Sequence, residues 1–505
     1  MERRAFLKMV GAGTAGVVMS RRVWADEAKG RLPNIVFILA DDMGYGDLAC
    51  QNPASKIPTP NLDQFARQGV RFTEAHAPTA VCTPTRYSIL TGRYCWRSRL
   101  KESVLWPWDP PLIEEGRLTA PALLKKHGYK TACIGKWHLG WNWPFVKDAD
   151  QFMDKAAPWN RHVPCDALDW NKPITGGPLA CGFDYYFGDD VPNFPPYVFI
   201  ENDRTLGVPS EQKPDTMFGS PGPMLPGWKL EAVMPAITRK AVQWIGDNAH
   251  QPFFLYFPLT APHTPIAPAE EFKGKSKAGD YGDYVVEVDW AVGEVLKAVD
   301  RNDLADNTLV IFTSDNGPEA TAYDRAQTYR HYSMGDLRGV KRDVWEGGHR
   351  VPFVARWPGK TKPGTTRNEV ICLTDLLATT AAMVGDTLPE NAGEDSYNIL
   401  PALFGELSNK PIREATVHHG YSRKFAIRQG NWAYIDAPSG DDNKEPDWFK
   451  RERGYEPNDQ PGELYDLHQD LSERRNLYAE RPEVVKALKA LLEKYKKDGR
   501  SAPRP

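Results

Sequence analysis

Four apolar runs of strand length, each ending abruptly in polar residues, constrain the fold of this chain most strongly. The runs are Asn34–Ala40, Thr131–Ile134, Phe253–Phe257 and Thr308–Phe312. Continuous rather than alternating apolar residues are typical of strands that are covered on both faces. Helical patterns fall between the runs, at Asn61–Gln68, Glu231–Asp247 and Tyr284–Val299. Strands that alternate with helices predict an α/β fold, in which helices sandwich a large, mostly parallel sheet.

A polar motif follows each of these runs. The motifs are Asp41-Asp42, Gly135-Lys136-Trp137-His138, Pro262-His263-Thr264 and Asp315-Asn316-Gly317. Open parallel sheets bind their ligands outside the carboxyl ends of the strands. We therefore expect the four motifs to converge on one crevice.

The segment Ala80–Gly92 (AVCTPTRYSILTG) predicts a short helix that begins near a cysteine. Pro84 suits the first turn, where its missing N–H costs nothing, and Gly92 is well placed as the C-terminal cap. The free N–H groups of a helix start favour an anion, and Arg86 adds a planar charged fork. Cys82 is thus a nucleophile in an anion site, although an isolated cysteine of this kind is more often structural.

Asp41, Asp42, Asp315 and Asn316 offer hard oxygen donors from two strand ends. Without a histidine or cysteine among them, they suit calcium or magnesium better than zinc. Taken separately, each pair is equally well explained as a helix cap or a turn.

The whole segment Ala80–Gly92 resembles the signature of the type I sulfatases, in which this cysteine is oxidised after translation to formylglycine, an aldehyde. The similarity extends from about Pro33 to Tyr495, and the arylsulfatase A type is the most similar pattern. The resemblance implies an alkaline-phosphatase-like (sulfatase) fold with a smaller C-terminal α+β subdomain. It implies a sulfuric ester hydrolase that splits sulfate monoesters into an alcohol and inorganic sulfate.

The resemblance also implies the roles of individual residues. One Ca²⁺ ion, with Mg²⁺ as the alternative, would be held by Asp41, Asp42, Cys82, Asp315 and Asn316. The catalytic residues would be Cys82, Arg86, Lys136, His138, His263 and Lys341. Of these, His263 is matched only through the short string His-Thr-Pro, whereas Lys341 precedes the more distinctive Glu346-Gly347-Gly348.

The implied reaction passes through a covalent sulfo-enzyme. One hydroxyl of the hydrated aldehyde at position 82 attacks sulfur, assisted by Asp315, while the metal, Arg86, Lys136 and Lys341 hold the sulfuryl oxygens. His263, together with Lys341, protonates the departing alcohol, and His138 then assists the release of sulfate. The expected partners are a sulfated small molecule or glycan and a maturation enzyme that generates formylglycine from Cys82.

Two other functions remain open at this point. Phosphodiester or phosphonate monoester hydrolases use the same fold and the same modified cysteine, although the Asp/Asp/Asp/Asn set and Gly-Lys-Trp-His-Leu-Gly favour sulfate. A non-catalytic binder of sulfated glycans is the third reading. The tryptophans Trp106, Trp108, Trp141 and Trp143 could stack on a sugar ring or could be packing residues.

The N-terminus resembles a twin-arginine signal peptide. Arg3-Arg4 precedes a mildly apolar run that ends near Ala25, so we expect residues 1–25 to direct bacterial export to the periplasm or beyond. An exported hydrolase meets extracellular polymers, which favours a carbohydrate sulfate as substrate.

The remaining chain divides into a catalytic domain at 26–400 and a C-terminal subdomain at 401–505. A net charge of −3 gives no general attraction to nucleic acid, and no apolar run is long enough to span a bilayer.

Overall fold

The structure is a computed structural model that describes residues 32–406 and 410–504. The expected signal peptide, residues 1–25, lies outside the described residues, so export stays a prediction. The strands, in chain order, are β1 (Asn34–Ala40), β2 (Val70–Phe72), β3 (Ala75–His76), β4 (Lys130–Ile134), β5 (Tyr185–Gly188), β6 (Ile200–Glu201), β7 (Arg204–Thr205), β8 (Glu211–Gln212), β9 (Pro223–Met224), β10 (Phe253–Pro258), β11 (Thr308–Ser314), β12 (Phe353–Arg356), β13 (Thr365–Arg367), β14 (Ile371–Cys372), β15 (Thr416–His419), β16 (Phe425–Gln429), β17 (Trp432–Ile435) and β18 (Glu463–Asp466).

Within the described residues, a ten-stranded sheet has the order β13-β2-β12-β11-β1-β10-β4-β5-β6-β7. The centre of the sheet, from β11 to β5, is parallel throughout. On one side β12 runs antiparallel to both of its neighbours, and on the other β6 and β7 form an antiparallel edge. The prediction of a large, mostly parallel α/β sheet is confirmed.

Strand β1 shows why the apolar runs form the middle of the sheet. All of its residues are buried, because each face packs against a different hydrophobic core. Ile35, Phe37 and Leu39 contribute to one core, and Val36 and Ile38 to the other. Burial on both faces accounts for the continuous apolar sequence.

The helices, in chain order, are α1 (Pro60–Gln68), α2 (Cys82–Thr91), α3 (Ala120–Lys126), α4 (Val233–Asp247), α5 (Gly279–Arg301), α6 (Ala322–Tyr329), α7 (Glu346–His349), α8 (Leu376–Met383), α9 (Leu400–Phe404), α10 (Asp447–Arg453) and α11 (Pro482–Asp498). Several of them cover the two faces of the large sheet. Side chains of α1, α4 and α5 pack in one core, and those of α2, α3 and α8 in the other. Helix α5 begins five residues before the predicted start at Tyr284, because Tyr281 and Asp283 are also buried.

A separate four-stranded antiparallel sheet, β15-β16-β17-β18, follows near the C-terminus, and α11 packs on it. Strands β16 and β17 form a hairpin, with Gly430 at the turn. The polar segment Asp436–Pro461 contains helix α10 with the buried Phe449. The division at residues 400 and 401 remains a prediction.

The C-terminal sheet contacts the residues that lead into α2. Thr79 pairs with His419 of β15, and the Ala80 N–H donates to the His419 carbonyl at 2.9 Å. The start of α2 is therefore fixed from the side of the small sheet as well as from the large one. Among the described residues, no helix combines the length and apolar character needed to cross a membrane.

Candidate active site

The four polar motifs lie at the carboxyl ends of adjacent strands. Asp41 and Asp42 follow β1, Asp315 and Asn316 follow β11, and His263 comes after β10. Lys136 and His138 follow β4, which completes the spatial order β11-β1-β10-β4. All of these side chains are buried, and the contacts below bring them together with Arg86 and Lys341. The predicted convergence at one sheet edge is what the structure shows.

Asp41 is held by two cations. The Lys136 Nζ donates to Asp41 Oδ2 at 2.7 Å, and the Arg86 Nη2 lies 3.3 Å from Asp41 Oδ1. Burial alone would raise the pKa of Asp41, but Lys136, His263 and Arg86 together hold it well below its ordinary value. Asp41 is therefore a permanent anion.

Arg86 points inward, toward Asp315. Its Nε and Nη2 donate to Asp315 Oδ2 at 3.1 and 2.8 Å, and its Nη1 donates to the Lys136 carbonyl at 3.2 Å. The resemblance implied that Arg86 holds sulfuryl oxygens, whereas here each of its guanidinium nitrogens binds the protein itself. A fully buried guanidinium between a carboxylate and a strand end fixes both groups in place.

Asp42 contacts residues of three other motifs, which contain His263, Asn316 and Lys341. Its Oδ2 accepts from Lys341 Nζ at 2.7 Å and lies 3.7 Å from His263 Nε2, while its Oδ1 accepts from Asn316 Nδ2 at 2.7 Å. The Asp42 N–H donates to Asp315 Oδ1 at 3.1 Å. The φ of Asp42 is 64°, a left-handed conformation that turns the chain sharply at the end of β1.

The donor set fits a divalent cation. Asp41 Oδ1 and Asn316 Oδ1 are buried and accept no hydrogen bond from the described residues. Burial and the charge of Asp41 raise the pKa of Asp315 well above its ordinary value, in spite of Arg86. The unpartnered amide oxygen of Asn316 and the crowded carboxylates of Asp41, Asp42 and Asp315 are hard ligands and suit Ca²⁺ or Mg²⁺.

Cys82 is the first residue of α2 and is 3% exposed. Every residue of α2 is buried, and the helix ends at Gly92, whose φ of 64° permits its N–H to donate to the Ser88 carbonyl. Cys82 lies close enough to Arg86, Asp315 and Lys341 for their charges to interact, so the start of α2 borders this site. All of the cysteines are free thiols.

The two histidines are held in their neutral form. The His138 Nε2 contacts the Leu105 carbonyl at 3.0 Å, so that nitrogen carries the proton and Nδ1, which has no partner among the described residues, carries a lone pair. Burial and Lys136 lower the pKa of His138 to about 3. Burial and Lys341 lower the pKa of His263 to about 4.

Two acids in the site were missed by the sequence reasoning. Asp190 accepts the backbone N–H of His138 at 3.0 Å. Glu319 lies 3.6 Å from Lys341 Nζ and binds the Arg342 guanidinium with both oxygens. Burial would lower the pKa of Lys341, but Asp42 and the neighbouring acids raise it above its ordinary range. Asp190 belongs to an acidic pair, Asp189-Asp190, that directly follows β5. Asp41-Asp42 follows β1 in the same way, so this pattern could have identified Asp190 from the sequence.

Residues 33–385 match the protein family described as Sulfatase. The chain belongs to the sulfatase family. This sulfatase is 36% identical to an N-acetylgalactosamine-6-O-sulfatase of Bacteroides thetaiotaomicron, over 92% of this chain and 93% of the relative. It is 33% identical to human arylsulfatase A, over 92% of this chain and 88% of the relative.

Solved structures agree with this assignment. A structure from work on the metabolism of multiple glycosaminoglycans by Bacteroides thetaiotaomicron superimposes with a TM-score of 0.77 at 34% identity, covering 93% of this chain and all of the other. The PsFucS1 sulfatase from Pseudoalteromonas sp. shares the fold, with a TM-score of 0.69 at 24% identity over 97% of this chain and 96% of the other. The sulfatase fold and the assignment as a hydrolase are thereby confirmed.

A second cluster of histidines lies where strand β15 of the small sheet of the sulfatase meets β3 and α7. His349 and His418 stack with ring centroids 3.8 Å apart, and His76 Nδ1 lies 3.2 Å from His349 Nδ1. Both nitrogens of His418 already contact the protein, at the Ala77 carbonyl and at Thr416. The charged groups around the cluster are Glu74, Glu346, Arg350 and Arg428. Two guanidiniums and an occupied His418 make this a packing cluster rather than a metal site.

This cluster predicts a loss of stability in mild acid. Burial lowers the pKa of His76, His349 and His418 well below the ordinary value. Below about pH 6.5 the unfolded chain binds a proton at each position and the folded chain does not, so each histidine removes about 1.4 kcal/mol of unfolding free energy per pH unit. Urea unfolding of His418→Gln should show a pH slope smaller by about 1 kcal/mol per unit between about pH 5.5 and 6.5.

The exposed His468 supplies the control for this prediction. His468→Gln should leave the pH slope of the unfolding free energy unchanged. Equal slopes in the parent protein and in His418→Gln would show that the cluster binds protons in the folded state and would contradict the prediction.

Proposed function

We propose that this sulfatase hydrolyses the 6-O-sulfate ester of an N-acetylhexosamine residue in a glycan, through a formylglycine formed from Cys82. The observation that carries the reaction type is the buried start of α2, whose Arg86 binds Asp315 in the site where Lys136 contacts Asp41 and Lys341 contacts Asp42. The proposed substrate rests on the similarity to the N-acetylgalactosamine-6-O-sulfatase, which extends over nearly the full length of both chains.

The nucleophile is supplied by position 82. Oxidation of the Cys82 thiol to an aldehyde and its hydration would place two hydroxyl groups on one carbon at the start of α2. Helix N–H groups and the helix dipole stabilise negative charge there. Asp315 is held in place by both arms of the Arg86 fork, so it is suited to accept the proton of the attacking hydroxyl.

Lys136 and Lys341 would bind the sulfuryl oxygens. Each ammonium has three donors, and the carboxylates Asp41 and Asp42 each take one at 2.7 Å. The remaining donors are free to bind an anion that bears developing charge in the transition state. Arg86 is a positioning residue in this scheme, since its nitrogens already bind Asp315 and the Lys136 carbonyl.

The proton for the departing alcohol would come from the pair Lys341 and His263. Both side chains approach the same atom, Asp42 Oδ2, at 2.7 and 3.7 Å. The two side chains therefore border the same part of the site, on the side of Asp42. His138 would act in the second half of the reaction, because its Nδ1 lone pair can accept the proton of the second hydroxyl at position 82.

We propose that Asp41, Asp42, Asp315 and Asn316 hold one Ca²⁺ ion, with Mg²⁺ as the alternative. Two oxygens support this assignment: Asn316 Oδ1, which accepts no hydrogen bond from the described residues, and Asp41 Oδ1, which has an ion pair with Arg86 but accepts no hydrogen bond. Such an ion supplies positive charge that neutralises a sulfuryl oxygen and polarises the ester.

Sulfate release from a panel of defined substrates tests the function. The panel holds the 4- and 6-sulfates of N-acetylgalactosamine, an aryl sulfate and an aryl phosphodiester. We expect the 6-sulfate to exceed the 4-sulfate in kcat/KM by about 100-fold or more, because misplacing the ester leaves buried polar groups unpaired. A chelator should abolish turnover, and Ca²⁺ or Mg²⁺ should restore it. Faster turnover of the phosphodiester than of every sulfate would reject the proposal.

A further inference from the structure

Tryptophan accounts for 16 residues of this chain, and the structure separates those near the site into two kinds. Trp108, Trp141 and Trp143 are buried to at least nine-tenths and pack on one another in the core. Trp106 is only partly buried, and Trp159 is 54% exposed. Of the four tryptophans that the sequence offered as sugar-stacking residues, only Trp106 reaches the surface.

The partly buried Trp106 belongs to a continuous line of rings that starts at the active site. Phe194 contacts the His138 ring edge-on, with centroids 5.6 Å apart. Trp106 lies 5.9 Å from Phe194, and Trp159 lies 6.0 Å from Trp106. We call Phe194, Trp106 and Trp159 the aromatic ridge. It leads outward from His138 to solvent, with exposure increasing along the way.

The ridge is held rigidly by one ion pair. The Arg161 Nη1 donates to Asp109 Oδ1 and to the Pro107 carbonyl, both at 2.6 Å. Asp109 also accepts the N–H of Trp106 at 2.8 Å through its second oxygen. Arg161 is 8% exposed, so the segment that carries Trp159 and the one that carries Trp106 are tied together by a nearly buried contact.

A large apolar side chain that remains exposed at the end of a line of rings from a catalytic group points to a ligand. Burying an indole is favourable, so a fixed and half-exposed tryptophan at the outer end of this line gains free energy only when something covers it. Among the exposed large apolar side chains of the described residues, Trp159 is the only tryptophan. Pre-organised aromatic rings lose little entropy when a ligand stacks on them.

We propose that the aromatic ridge is a subsite for the sugar units that follow the sulfated residue of an oligosaccharide. This inference rests on the proposed glycan function and adds that the natural substrate is longer than one sugar. A sugar at His138 reaches Phe194, whereas Trp159 lies two ring spacings further out and would contact a later unit of the chain. The apolar C–H face of a pyranose ring matches an aromatic face, and the ridge itself carries no charge.

Kinetics on substrates of different length test the ridge. The probes are N-acetylgalactosamine 6-sulfate, a chondroitin sulfate tetrasaccharide with that residue at its non-reducing end, and 4-nitrophenyl sulfate. For Trp159→Ala we expect kcat/KM on the tetrasaccharide to fall by about tenfold, mainly through KM, because one stacking contact is lost. Turnover of the monosaccharide and of the aryl sulfate should change by less than about twofold.

Two further variants make the result specific. Trp159→Phe retains an aromatic face and should recover most of the tetrasaccharide kcat/KM. Tyr329→Ala removes another exposed aromatic, which lies at the end of α6, and should affect none of the three probes.

The possible outcomes distinguish a failure of the subsite proposal from a failure of the proposed glycan sulfatase function. An equal effect of Trp159→Ala on all probes, or no effect on any, would overturn the subsite while the sulfatase function stands. Turnover of the aryl sulfate without turnover of either sugar by the parent enzyme would reject the glycan function, and the ridge proposal with it.

Discussion

Replacing Cys82 with alanine is expected to abolish the hydrolysis of sulfate esters, with a fall in kcat of about 10⁴-fold or more. Alanine cannot be oxidised to the aldehyde, so no hydroxyl is presented at the start of α2. The substitution changes only one or two heavy atoms at a buried position, and the fold should survive with a loss of about 1–2 kcal/mol in unfolding free energy. Sulfate release and urea unfolding measure the two effects separately.

Cys181 provides a matched control, because it is also a buried free cysteine but lies away from the active-site contacts. Cys181→Ala should lose a similar amount of stability and retain activity within about twofold. Intact-mass measurement of the parent protein adds a direct check on the proposed oxidation at position 82. Full activity in a protein whose Cys82 is entirely an unmodified thiol would contradict the formylglycine proposal.

The second large effect is expected from Arg86→Met. Methionine has a similar length but leaves Asp315 without its two charged donors and frees the carbonyl of Lys136. Removing one partner of a buried ion pair costs about 3–5 kcal/mol, so the urea midpoint should fall substantially. We expect kcat/KM to fall by about 10³-fold even under conditions in which the variant is fully folded, because Asp315 and Lys136 are no longer fixed.

Arg93→Met separates this effect from the general loss of an arginine. Arg93 lies just beyond the end of α2 and pairs with Glu114 and Glu394 at the partly exposed surface. Its replacement should cost about 1 kcal/mol or less and leave kcat/KM nearly unchanged. If Arg86→Met loses stability but retains the kcat/KM of the parent, Arg86 is only a structural residue and its positioning role is wrong.

The sequence was sufficient to predict where the site lies. The strands that carry Asp41, Lys136, His263 and Asp315 are buried on both faces, so their apolar runs are continuous and their ends are sharp. In a parallel sheet these ends must meet at one edge. The α/β class and the convergence of the motifs both follow from this periodicity.

The direction of individual side chains could not be predicted in the same way. The role of Arg86 in holding sulfuryl oxygens stays a prediction, whereas its contact with Asp315 was not predicted. A buried guanidinium without a partner is costly, and Asp315 supplies that partner. Glu319 lies close to Asp315 in the chain but has no motif of its own. Its contact with Arg342, 23 residues later, depends on how the intervening loop folds back. Helix α10 was not predicted because its sequence is mostly polar, and Phe449 is the one residue of the helix that is buried.

The complete burial of α2 has a consequence for how this enzyme is made. If formylglycine is formed from Cys82 as proposed, the maturation enzyme needs access to Cys82 and the residues around it, yet the folded protein encloses every side chain of α2. Oxidation and folding would then compete in time, and a chain that folded first would be trapped as a stable but inactive protein. The specific activity of a preparation should then report the outcome of that kinetic competition in the producing cell, independently of how well the protein folds.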